Sequence, residues 1–286
     1  YALPTAFSSL IWYYDRGLFE EAGLPEPDGS WRWDPVTGGD FLRVVRALTR
    51  DVNGDGINDQ WGLIIPGSWS RYLPFIVSNG GYYWDATATR ATITEPAFVD
   101  AIQFLGDLIH RHRVTSLQIG INDFYAGRVG LYYSGRWEVP RLRQNRVQGN
   151  WDVTVPPAGP AGRSASVGAG YTAIWKGTRH PEAAWRLLRF LASETSYRLR
   201  DPVGQTVPPI RSLAFSEFFL GTTPPENNRA FLDVLAYGTP APQHPRWPQI
   251  NAVVHPAVQK VYEGQATAAA ALAEVAPQVD AILRGQ

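Results

Sequence analysis

Apolar residues recur at helical spacing in five stretches of the chain, each opened by proline or a polar residue. After Asp40, residues Phe41, Leu42, Val44, Val45 and Leu48 fall on one face of a predicted helix. Glu95-Pro96 puts proline in the first turn of a second helix, carried by Phe98, Val99, Ile102, Leu105, Leu108 and Ile109. His180-Pro181-Glu182 opens a third, through Trp185, Leu188 and Leu191. The last two use Ile250, Val253, Val254, Val258 and Val261, then Leu272, Val275, Val279, Ile282 and Leu283. Between them lie short strand-like runs: Gly62 to Ile65, Gly130 to Tyr133, Val153 to Val155 and Tyr171 to Trp175. Helices alternating with short strands predict α/β layers. No internal repeat interrupts the pattern, and the alanine-rich tract from Ala266 to Ala273 reads as a plain helix.

Composition narrows the classes of function. The 286 residues are enough for one large or two ordinary domains. With 26 basic and 26 acidic side chains, no net field draws the chain to nucleic acid or an anionic membrane. The absence of cysteine removes thiolate nucleophiles, disulfides and thiolate metal sites, and suits an exported protein. No stretch approaches the roughly 18 apolar residues of a membrane span. The chain holds no methionine, so Tyr1 is not expected to be a natural start. Its 11 Trp, 13 Tyr and 12 Phe are the unusual feature, because Trp and Tyr join a flat apolar face to a polar edge and suit a wet, flat ligand such as carbohydrate.

Several separated motifs together resemble the extracellular solute-binding proteins of ABC sugar importers, of the maltose- and glycerophosphate-binding type. Tyr1-Ala2-Leu3-Pro4, Leu10-Ile11-Trp12-Tyr13-Tyr14-Asp15 and Leu18-Phe19-Glu20-Glu21-Ala22-Gly23-Leu24-Pro25 look like that family's passage from its first hinge strand into its second lobe. Trp31-Arg32-Trp33-Asp34, Asp51-Val52-Asn53-Gly54-Asp55-Gly56, Asn79-Gly80-Gly81-Tyr82 and Ser134-Gly135-Arg136-Trp137 follow in the family's order, and Trp247 to Leu283 resembles its final helix pair. The resemblance implies an α/β fold of the periplasmic-binding-protein type II, two-lobed with a hinge, whose first lobe is expected to be incomplete here. Residues 5–165 and 225–286 would form the C-terminal lobe, and 1–4 and 166–224 the hinge strands and the rest of the N-terminal lobe. It further implies an extracytoplasmic receptor, periplasmic or a cell-surface lipoprotein, that acts as a monomer and delivers a sugar to a membrane permease. This chain would supply one wall of the sugar cleft.

The resemblance also points to ligand-binding residues. Trp137 sits where the family places an aromatic platform for a pyranose ring. Gly168-Ala169-Gly170-Tyr171 matches the glycine-rich second crossing, where backbone approaches ligand at Gly170 and Tyr171 can stack. Trp69 and Ser70 lie in an expected cleft loop, with Tyr13 and Trp247 as further contacts. As a dinucleotide fingerprint, Gly168-x-Gly170-x-x-Ala173 lacks the acidic partner at the usual distance. Arg211, in Pro208-Pro209-Ile210-Arg211, is expected to be structural. Read without the family, Asp51, Asn53, Asp55, Ile57 and Asp59 fall at positions 1, 3, 5, 7 and 9 of an EF-hand-like loop with Gly56 at 6, which would hold a structural Ca²⁺. Position 12, however, is Gly62 where a bidentate Glu is needed. There is no metalloprotease, serine-hydrolase or P-loop motif. Two alternatives stand beside the receptor: a carbohydrate hydrolase using Glu138 and Asp85 as its carboxylate pair, and a binding or scaffold protein that has lost transport.

Overall fold

A fourteen-residue strand, β1 (Ala2–Asp15), runs through the middle of the molecule. The computed structural model describes residues 2–145, 150–202 and 204–285, so Tyr1, the start of the expected hinge strand, lies outside the described residues. Five further strands complete one mixed sheet: β2 (Trp61–Leu63), β3 (Val129–Gly135), β4 (Trp151–Thr154), β5 (Ala165–Ala173) and β6 (Gly238–Thr239). The strand order is β2-β3-β1-β5-β6, and β4 also pairs with β1. The first half of β1 is antiparallel to β5, from Ala2 opposite Ala173 to Ser9 opposite Val167. Its second half lies between β3 and β4, with Trp12 opposite both Tyr133 and Thr154.

Strand alternation explains why the β1 sequence is apolar at successive positions. Leu10, Trp12 and Tyr14 enter a core with the helices Gly39–Ala47, Trp69–Ser78, Pro96–His110, Trp247–Tyr262 and Ala268–Arg284. Ile11 and Tyr13 enter a second core on the opposite face, with Val139, Trp151, Val207, Phe219 and Phe231.

The five helices expected from periodicity are present, as are the α/β layers. The hinge stretch and the Leu10–Asp15 stretch are one strand, continuous past Pro4; the register shifts between Pro4 and Ala6, a bulge that tolerates a residue without an N–H. Trp69 and Ser70 are the first turn of the helix Trp69–Ser78 and not a loop. Val207, Ala214 and Phe219, which the resemblance grouped with residues 166–224, pack with Ile11, Tyr13 and Trp151 because their apolar side chains complete the second core. The helix Pro181–Leu191 buries Leu188 yet leaves Leu187 and Phe190 exposed, and Trp175 beyond β5 is exposed as well.

Candidate functional site

Beside the first core, where β1 and β5 run past the start of the helix Trp69–Ser78, the sheet borders a cleft of about 230 Å³. Ser8, Leu10, Trp69, Ser70, Trp137, Ser166, Val167, Gly168 and Ala241 line it. Ser8 and Leu10 share the β1 face that carries Trp12, and Gly168 lies opposite Ser8. The floor is therefore made of small hydroxyl-bearing residues and glycine, and two indoles stand over it.

Trp137 is 39% exposed although Arg136 and Glu138 on either side of it are buried. The short 3₁₀ turn Arg136–Glu138 follows β3 and sends its outer residue into the cleft while the flanking two point inward. Gly135 makes room for this arrangement. A Cβ there would come within 2.1 Å of the Trp137 ring, so the indole lies directly on the glycine backbone. Glu138 accepts from Tyr125 at 3.0 Å and from Tyr132 at 3.4 Å. Burial and the Glu138 charge push the Tyr125 hydroxyl up to about 12, which keeps it a donor.

The second indole is braced from behind. Trp69 meets Trp247 edge to face at 5.5 Å, and Trp247 packs on Tyr83 at 4.7 Å and on Trp84 at 6.2 Å. Within the helix, Pro74 has no N–H to give the Ser70 carbonyl four residues back, and its ring disfavours that bond. The freed carbonyl accepts from the Ser166 hydroxyl of β5. Arg71, one residue beyond Ser70, donates to the Tyr133 carbonyl at 3.0 Å, which ties the same turn to β3.

Trp137, Trp69 and Ser70 thus come together, and Trp247 supports Trp69 from outside the lining. Gly170 and Tyr171 lie farther along β5; Tyr171 is 66% exposed and borders no part of the cleft. Tyr13 is wholly buried in the second core and donates to the Gly135 carbonyl at 2.8 Å, so it holds the backbone beneath Trp137 and does not reach the cleft. Sequence reasoning passed over Ser8, Leu10 and Ser166. The available signal was Ser8 itself, a polar residue in the alternating series that leads into Leu10, Trp12 and Tyr14, which marks where that face opens to water.

The Asp51–Asp59 loop closes on its own amides. Asp51 accepts from Gly54 and Gly56, Asp55 from Ile57, and Asp59 from Val52 and Asn53. Among the described residues no group of three or more His, Asp or Glu side chains is placed to hold a metal ion. Gly62, at the position of the missing bidentate ligand, is in β2, packed where a Cβ would meet the Val45 carbonyl. Of the two carboxylates nominated for hydrolysis, Glu138 holds tyrosine hydroxyls, and Asp85 accepts from Thr89 and Arg90 amides in an exposed turn.

Comparison with known proteins gives one family. A family profile described as bacterial extracellular solute-binding protein matches residues 1–197. A binding protein of Brucella abortus is 24% identical over 99% of this chain and 68% of its own length. Among solved structures, an ABC substrate-binding protein from Listeria monocytogenes in complex with cycloalternan superposes with a TM-score of 0.86 at 21% identity, over 100% of this chain and 72% of the other. A maltose/maltodextrin-binding domain from Bdellovibrio bacteriovorus bound to maltotriose gives 0.78 at 21% identity, over 99% and 73%.

Proposed function

The chain belongs to the bacterial extracellular solute-binding protein family, and from that premise we propose that it is the binding component of an ABC importer for a sugar or oligosaccharide. The observation that carries the reading is the cleft: two braced indoles over a floor of serine hydroxyls and bare backbone. Apolar C–H faces of a pyranose stack on indole while its hydroxyls exchange hydrogen bonds with small polar groups. Trp137 and Trp69 are the platforms, Ser8, Ser70 and Ser166 the polar contacts, and Gly168 lets the ligand approach the strand. The related proteins captured with cycloalternan and with maltotriose support a glycan of several rings. The receptor works outside the cytoplasm, as a periplasmic protein or a cell-surface lipoprotein. It acts as a monomer without catalysis, and its ligand-closed form is what the permease engages.

Isothermal calorimetry of the full-length protein against neutral oligosaccharides, beginning with maltotriose and cycloalternan, tests this reading. Saturable binding of at least one glycan is expected. No heat with any sugar or polyol across the panel overturns it.

A further inference from the structure

Arg136 precedes the Trp137 platform, is 1% exposed, and finds only neutral partners for its nitrogens among the described residues. Nε donates to the Gly204 carbonyl at 2.8 Å, Nη2 to Thr222 Oγ1 at 2.9 Å, and Nη1 to Asn228 Oδ1. The guanidinium plane is held between the Phe219 ring at 4.2 Å and the Phe231 ring at 5.0 Å. Gly204 has φ of +68°, a left-handed conformation that favours glycine, and a Cβ there would come within 3.1 Å of Nη2. Asn228, fully buried, passes the grip on: the two N–H bonds of its Nδ2 are shared among the carbonyls of Leu220, Thr222 and Pro225.

Burying a cation whose hydrogen-bond acceptors are all neutral is costly, and burial here lowers the Arg136 pKa to about 10 although the Asp201 carboxylate nearby opposes the shift. An apolar side chain of similar volume would serve packing alone at less cost. What arginine adds is direction, because its donors leave a rigid plane at fixed angles and reach three acceptors at once. Those acceptors span Gly204 to Asn228. At its start this segment closes on Asp201, whose carboxylate accepts from the Gln205 and Thr206 amides and from Tyr197 of the helix Glu194–Arg200.

We propose that Arg136 is a positioning residue for the ligand platform: by clamping residues 204–228 beneath the turn Arg136–Glu138, it sets the direction in which the Trp137 indole faces the cleft. The inference rests on the reading of Trp137 as a ligand contact. It makes the 204–228 segment, which borders no part of the cleft, a determinant of affinity.

The experiment is ¹⁹F NMR of the full-length protein labelled with 5-fluorotryptophan, the Trp137 resonance being assigned by its loss in Trp137→Phe. Asn228→Ala and Thr222→Val, which leave Arg136 in place, are expected to shift or broaden that resonance while the Trp175 signal stays put. Arg136→Met gives the largest change, and Arg136→Lys restores part of the native position. An unmoved Trp137 signal in folded Asn228→Ala and Thr222→Val overturns the proposal, whether or not Arg136→Met folds. A wild-type titration with a glycan bound in calorimetry reads the other premise separately. If other resonances respond and Trp137 does not, the platform reading fails, whereas the response to Asn228→Ala still reports on the clamp.

Discussion

Gly135 shows how one missing side chain shapes the site. Its φ of −99° is open to any residue, so substitution costs no backbone strain, and the nearest obstacle is the indole resting on it. Gly135→Val should therefore displace Trp137 and weaken glycan binding about as much as Trp137→Ala, roughly 30-fold for about 2 kcal/mol of lost stacking. Calorimetry of both variants checks this, and circular dichroism should remain native in each. His112 makes a separate prediction. Its Nδ1 lies 2.7 Å from Arg46 Nη2, a contact that suits a neutral ring accepting the bond. Burial first, and then the Arg46 charge, lower its pKa from the ordinary 6.5. Below 6.5 the unfolded chain takes up a proton that the folded chain resists. The His112 contribution to stability is thus complete above that pH and is lost as pH falls toward the lowered folded value. Urea midpoints measured at about pH 7.5 and about pH 5 should differ less in His112→Gln than in the wild type.

Elements were legible where one face of a long helix meets one core. Pro96–His110 and Ala268–Arg284 announce themselves by period, and the second is also capped by the Thr267 hydroxyl, which accepts from the Ala270 amide at 3.3 Å. Thr267→Ala should cost about 1 kcal/mol, read as a lower urea midpoint with an unchanged slope. The helix Trp69–Ser78 was harder to see because Pro74 lies in the middle of only 10 residues, whereas the 17 residues of Ala268–Arg284 keep their period around Pro277. Here the unpaired Ser70 carbonyl finds Ser166 on β5, a partner that sequence distance conceals. β1 escaped for the opposite reason. Buried on both faces in its second half, it shows no polar alternation there to declare its length.

At the scale of the molecule, one sheet separates two cores, and the cleft lies at the end of the first, where β1 and β5 leave the helices. The acidic loop Asp51–Asp59 is remote from that arrangement and already satisfies its carboxylates with its own amides. Millimolar Ca²⁺ is expected to leave the melting temperature where EGTA leaves it, whereas a bound glycan should raise it. The sequence by itself determined the α/β class, the long helices and the family, because period, composition and ordered motifs are local properties of the chain. Only the tertiary structure decided which aromatics share the cleft. It put Tyr13 beneath the Gly135 backbone, Trp247 behind Trp69 and Tyr171 away along β5, since strand alternation and packing against distant segments set where a ring faces. The same holds for Arg136, whose role depends on acceptors from 68 to 92 residues away.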